Sequence, residues 1–329
     1  MSTALPAHMA NSDYRNSVIN RRRTFKPVDW PAYKENCDKN RFSESSSDTY
    51  EVPLSELDLE SEPYGLAEGL RRMFTVVAFR DASWIAAILF VIGSTAFVVS
   101  AFFQLLPLAI PESAFPGEVE LAFPLTIAFG AANFFSGGTL SLIGAFNDGR
   151  GPLPENKLGQ PISTKYHPAL LGSKEWVWFP TFAELRSVYL PNPAFRGGLV
   201  SMLGGLVLTS AAVMGFPGVL DPEAPDFPAK VKNFIFTPLF IGGSFLSIGA
   251  LMLTILAQER WYKLAPSSVT WQASFWNVAA AGLLVVSIGI VLLDDTQMLA
   301  SAAINMVSSW LFLLAALLQW YLIMEWLPS

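Results

Sequence analysis

Cysteine is nearly missing from this chain of 329 residues: Cys37 stands alone, so no intramolecular disulfide can form. Histidine is as scarce, with only His8 and His167. Metal chemistry needs clustered His, Cys, Asp or Glu, so no metal site and no cofactor is expected. A hydrolytic triad would need a histidine beside a serine and an acid, and His167 falls in a proline-rich loop where exposure is expected. No Walker loop is present, and NDGRG (147 to 151) reads as turn chemistry. Charge is also in short supply, at 15% of residues against 52% hydrophobic. Two soluble domains of this length would not be so apolar.

What is present is six long apolar runs, at about 82 to 106, 121 to 146, 197 to 216, 234 to 257, 274 to 293 and 298 to 323, none with an Asp, Glu, Lys or Arg strictly inside it. Each matches the ~20 residues that a helix needs to cross ~30 Å of hydrocarbon. Six buried soluble helices without a charged face would be far harder to account for. The expected fold is therefore all-α, a polytopic membrane protein of six transmembrane helices behind a disordered N-terminal tail. Of the 21 Lys and Arg, 11 precede the first run, six lie in the 148 to 196 loop and two, Arg260 and Lys263, in the 258 to 273 loop. The loops of the other side hold Lys230 and Lys232 but eight acids. By the positive-inside rule both termini are expected in the cytosol. The first ~80 residues lack the apolar core of a secretory signal, and Pro6 argues against a presequence helix.

Residues 1 to 75 are polar, with RRRTF (21 to 25) and RFSESSSDTYE (41 to 51), and are expected to stay disordered. Thr24, Ser45 to Ser47 and Ser55 are candidate kinase targets, and the arginine run could touch anionic headgroups. In the long loop, Thr181 and Glu184 have the spacing of a capping box, so a short helix should begin there and end before Pro191. Phe182, Leu185 and Tyr189 would share one face, with Trp176 and Trp178 upstream, as in a segment lying at the headgroup boundary rather than in a substrate lid.

A bulky residue, two spacers and a small pair recur once per run: FVIGS, FSGGT, MLGGL, FIGGS, and the degenerate VAAAG and FLLAA. With short acidic links inside the pairs 1-2, 3-4 and 5-6, this reads as three hairpin repeats. Among lipid tails, burying leucine against leucine gains little, so helices associate by close backbone approach at small residues. The expected packing positions are Gly93, Ser94, Gly138, Thr139, Gly205, Gly243 and Ser244. A stripe of Asn133, Gly137, Ser141 and Gly144 marks one face of the second run, and Gly198, Ser201, Gly205 and Ala212 one face of the third. The polar groups within the runs are amides, Gln104, Asn133, Asn277, Asn305 and Gln319, expected to bond neighbouring helices. The expected partners are the lipid bilayer, a second membrane protein or further copies of the chain, and a kinase at the tail, with no nucleic acid.

FVIGSTAF after DASW, FSGGTLSLIGAFND, ERWYKLAP and SSWLFLLAALLQWY resemble an uncharacterised fungal family of multi-pass integral membrane proteins, whose hairpins resemble the bacterial YrhK-like two-helix domain. The likeness covers roughly residues 80 to 325 and implies a membrane location but no particular activity. Where that family has glutamates, this chain has Gly144 and Leu322, reaching Glu325 three residues later. Two function classes follow. One is a non-enzymatic bundle: a scaffold, an accessory subunit or a passive facilitator of a small solute. The other is a membrane enzyme, such as a cyclase acting on a lipid-soluble substrate, with Asp294, Asp295, Glu259 or Asp148 as its acid. The absence of a convergent acid, base or metal set favours the first. Asp294 and Asp295 are adequate as turn formers. Arg80 with Asp81, and Glu259 with Arg260, read as boundary charges that reach for water.

Overall fold

The structure is a computed structural model that describes residues 66–152 and 166–327. Helix α1 (Leu66–Thr75) precedes six helices long and apolar enough to cross a membrane: α2 (Ala82–Ala109), α3 (Phe123–Asn147), α4 (Pro193–Met214), α5 (Thr237–Leu256), α6 (Val269–Leu293) and α7 (Met298–Trp326). No strand occurs among the described residues. The chain is thus an all-α, multi-pass membrane protein. Most of the tail, including Thr24, Cys37 and Ser45 to Ser47, lies outside the described residues.

One expectation about the tail needs correcting, because residues 66–75 form a helix. Gly69 and Met73 recur at helical spacing and pack on the end of α7, where the Tyr321 ring occupies the space a Cβ at Gly69 would take. That contact supplies the stability that a ten-residue helix lacks alone.

The helix starts follow local chemistry. Asp81, Asn192 and Ser268 cap α2, α4 and α6, so α4 and α6 begin about four and five residues before their apolar runs do. A five-residue π-helical turn leads into α3 (Glu118–Ala122) and another into α5 (Lys232–Phe236). Pro124 and Pro238 stand at the second position of α3 and α5. Neither proline has an N–H to continue the i→i−4 ladder, and the residue before each reaches five residues back, Phe123 to Glu118 O and Thr237 to Lys232 O.

Successive helices pair most closely: α2 with α3, α4 with α5 and α6 with α7. The pairs then close on one another, α3 on α4, α5 on α6 and α7 back on α2, which makes a ring of six. Its interior is filled. Phe134, Leu246 and Phe312 meet there with Phe90, Ala280 and Ala316, and Leu208 packs against them, so every long helix contributes. The outer face of α5 carries Ile241, Phe245, Ile248 and Leu251, all exposed and suited to lipid tails.

The three pairs share one register. In the first, a Cβ at Gly93 would strike the Phe134 ring, one at Gly130 would lie 2.6 Å from Phe97, and one at Gly137 2.9 Å from Phe90. In the second, a Cβ at Gly204 would lie 2.6 Å from Gly242 O, one at Gly242 2.9 Å from Leu208, and one at Gly249 would strike Ser201. In the third, the Ser308 hydroxyl donates to Ala280 O across 2.8 Å, in place of a glycine pair. Phe134, Leu246 and Phe312 hold corresponding positions at the centre.

Gly93 packs within its pair as expected, whereas at the glycine doublets of α3, α4 and α5 this register moves the contact point by one residue. The close approach within a pair uses the first glycine of each doublet, at Gly137, Gly204 and Gly242. The second glycine is turned about 100° onward and faces the neighbouring pair. Gly243 accordingly meets Val285 of α6, 3.1 Å from its would-be Cβ, whereas a Cβ at Gly138 or Gly205 would meet no atom within 4 Å. Both line a crevice between α3 and α4, with Phe135, Gly198 and Ser201. Thr139 is partly buried beside them, Ser94 is fully buried, and Ser244 donates to Phe240 O of its own helix.

Candidate functional site

Of the five amides in the spans, Gln104 and Asn305 meet across the α2–α7 seam, Asn305 Nδ2 donating to Gln104 Oε1 over 2.8 Å. Asn133 and Asn277 instead donate to carbonyls of their own helices, Phe129 O and Ala273 O, and Gln319 is buried on α7. Four residues back along a helix, a carbonyl is always within reach of an asparagine, so these amides need no neighbour.

The densest collection of buried polar groups lies at the end of the first pair. Asp81, only 2% exposed, caps α2: its Oδ1 accepts from the N–H groups of Ser83 and Trp84, and its Oδ2 accepts from the Tyr166 hydroxyl over 2.6 Å. The helix N-terminus favours the negative charge there. Asp81 therefore points inward rather than snorkelling, because the cap and Tyr166 offer better partners than water does. Asp148, buried as well, follows the last residue of α3. Between them stands Asn147, fully buried, whose amide donates to Val177 O and whose carbonyl accepts from Val177 N, each over 2.7 Å.

The loop is thereby sewn to the helix ends. Ala169 N donates to Asn147 O, Leu171 N to Arg80 O and Gly151 N to His167 O. Gly149 has a positive φ of 64°, and at Gly151 a Cβ would strike the Pro168 carbonyl, so the turn after α3 requires both glycines. These bonds bring His167 against Gly149 and leave it partly buried, contrary to the exposure expected of it. Burial, and next the charge of Asp81, push the Tyr166 hydroxyl well above the ordinary tyrosine range. Its proton stays in place and Asp81 remains the acceptor.

The capping box at Thr181 and Glu184 forms as the spacing predicts. A π-helical turn over Leu185–Tyr189 follows and changes the faces. Leu185, Val188 and Tyr189 face inward against Phe146 and Phe195, while Phe182 stays 78% exposed. A wider turn carries each residue less far around the axis, so Phe182 and Tyr189 no longer coincide. Burial opposes ionisation of Glu184, but the Thr181 N–H and the Arg150 guanidinium, 3.0 Å away, outweigh it and hold the carboxyl below the ordinary glutamate range.

Asp81, Ser83, Gly144, Asn147, Asp148 and Trp176 line a cleft whose water-accessible space is about 10 Å³. That is room for about one water molecule, far below the few hundred Å³ of a metabolite pocket. Gly144 leaves the cleft wall bare, and Leu322 packs in the cluster that holds Tyr166, so neither position supplies a carboxylate. The other expected acids lie apart: Asp294 caps the turn at Thr296, Asp295 is exposed and Glu259 pairs with Lys263 at the surface. Among the described residues no three His, Cys, Asp or Glu side chains are grouped as a metal site. Asp81 and Tyr166 escaped sequence reasoning because 85 positions separate them, and the one legible sign was an acid directly before an apolar run, where a cap belongs. Compared with protein families, curated proteins and solved structures, the chain matches none.

Proposed function

We propose that the chain is a non-enzymatic membrane bundle, a scaffold or accessory subunit with both termini in the cytosol. The observation that carries this reading is the filled ring: Phe134, Leu246 and Phe312 occupy its centre. A passive facilitator needs a continuous path lined with hydrogen-bonding groups, and the centre of this interior is closed by aromatic and aliphatic side chains instead. The cleft at Asp81 and Asp148 supports the same reading, since Asp81 is engaged in capping α2 and Asn147 in pinning the loop. The distribution of Lys and Arg supports the orientation, and the short apolar motifs alone support kinship with the fungal YrhK-like family.

A second reading, a membrane enzyme on a lipid-soluble substrate, draws on the two buried carboxylates sharing one cleft. Metabolite profiles of a deletion strain rescued with wild type or with Asp148→Asn separate the two. A lipid-soluble compound lost on deletion, restored by wild type and not by a stably expressed Asp148→Asn protein, would sink the scaffold reading. Protease added to intact cells and to inside-out vesicles tests the orientation: tags at both ends should be cut only in the vesicles.

A further inference from the structure

We propose that α1 is an in-plane membrane helix, lying in the headgroup region on the side where it meets the end of α7, with its Leu66–Leu70–Phe74 ridge against acyl chains. Helix α1 has three faces. Gly69, Arg72 and Met73 turn to the bundle, where Arg72 donates to Leu327 O over 2.6 Å. Glu68 and Arg71 pair with each other over 2.6 Å and are exposed. Leu66, Leu70 and Phe74 form the third face, 70%, 45% and 80% exposed, spaced four residues apart as one stripe. Val77 and Phe79 continue the apolar surface toward α2.

The occupant follows from where this ridge sits. The Phe74 ring lies edge-on to Trp320, 5.8 Å between centroids, on the last turns of the sixth span. Glu325, five residues further along α7, marks the approach to water. At 1.5 Å per residue Trp320, which the Phe74 ring contacts, lies about 7 Å below that charge, within the ~5–10 Å at which interfacial helices bury their apolar face. The ridge is thus continuous with the lipid-facing surface of the bundle. Phe179, Phe182 and Trp261, also strongly exposed, belong to the two loops that emerge at the same end. Aromatic residues gather at that depth because their rings are half at home in lipid.

The test uses full-length protein with Cys37→Ser, reconstituted in phosphatidylcholine vesicles and carrying single fluorophore-labelled cysteines at Leu70→Cys, Phe74→Cys, Glu68→Cys or Arg71→Cys. Labels at 70 and 74 should be quenched at least about twofold more by lipids spin-labelled near the headgroup than by aqueous iodide, with the order reversed at 68 and 71. Equal access of iodide to all four positions would overturn the proposal. So would shielding of 70 and 74 from both quenchers, which means a protein covers the ridge. As an unlabelled check, Leu70→Asp with Phe74→Asp should raise protease cleavage between α1 and α2 in vesicles several-fold while the bundle's melting changes little. Unchanged cleavage counts against the membrane as the partner.

Discussion

A single methyl group separates the two glycines of each doublet in consequence. At Gly204 a Cβ would lie 2.6 Å from Gly242 O and 2.9 Å from Leu246 N, both backbone atoms that cannot swing aside. Gly204→Ala should therefore lower stability by about 1–3 kcal/mol, read as an earlier thermal transition in detergent. Gly205→Ala meets open space and should be neutral or gain up to about 1 kcal/mol from helix propensity. Equal melting of the two variants would refute the one-residue register. At the cleft, Tyr166→Phe leaves the buried Asp81 Oδ2 without its 2.6 Å donor and should cost about 1–3 kcal/mol. The effect should appear first as protease cleavage within 166–192. Glu184 gives the same loop a pH dependence. Its folded carboxyl is held down, so its contribution is present above the ordinary glutamate range and fades as pH falls through the lower folded value. Acidification should loosen the loop in wild type, whereas Glu184→Gln should already be loosened at neutral pH and show less further change. Trp178 fluorescence is a suitable readout.

The elements are joined in two ways, and the pairs differ in which they use. Within the first pair glycines seat phenylalanine rings of the partner helix, and within the second glycine faces backbone; in the third, Ser308 with Ala280 O and Ser287 with Ser301 bring the helices together by hydrogen bonds. Between pairs, the α2–α7 seam adds the Gln104–Asn305 amide contact. Replacing Gln104 and Asn305 singly and together by leucine should give a coupling of about 0.6 kcal/mol and not above about 1.7, because each amide finds other partners when the helices separate in lipid. A coupling near zero would mean that glycine-free packing alone holds the seam. The α3–α4 seam is looser, with its crevice at Gly138 and Gly205. The doublets are plain in the sequence as small residues in apolar runs. Which member of each faces which neighbour was not, since a helical face is chosen by the partner's position and both members lie within one third of a turn.

At the scale of the whole molecule, the ring and its central cluster make the six spans one cooperative body. Phe134 touches Phe90 and Phe97 of α2 and Phe312 of α7, and its ring abuts Gly93. Phe134→Ala should cost about 3–5 kcal/mol, more than truncating a lipid-facing residue such as Ile248, since a cavity inside the ring cannot be filled by acyl chains. Equal costs at the two positions would show that the centre is not closed. The same closure places α1 against the end of α7, where Arg72 donates to Leu327 O.

Six apolar runs without charge, their lengths and the small doublets within them determined by themselves that this is a multi-pass helical membrane protein. That much is local, because each span satisfies its own backbone and meets the same solvent along its length. The order of the ring, the register of its pairs, the inward turn of Asp81 and the helix at 66–75 belong to the tertiary structure. Each depends on a partner far away in the chain, Tyr166 for Asp81 and Tyr321 for Gly69. In lipid, where apolar side chains do not drive helices together, close fit with those distant surfaces is what chooses among arrangements of equal hydropathy.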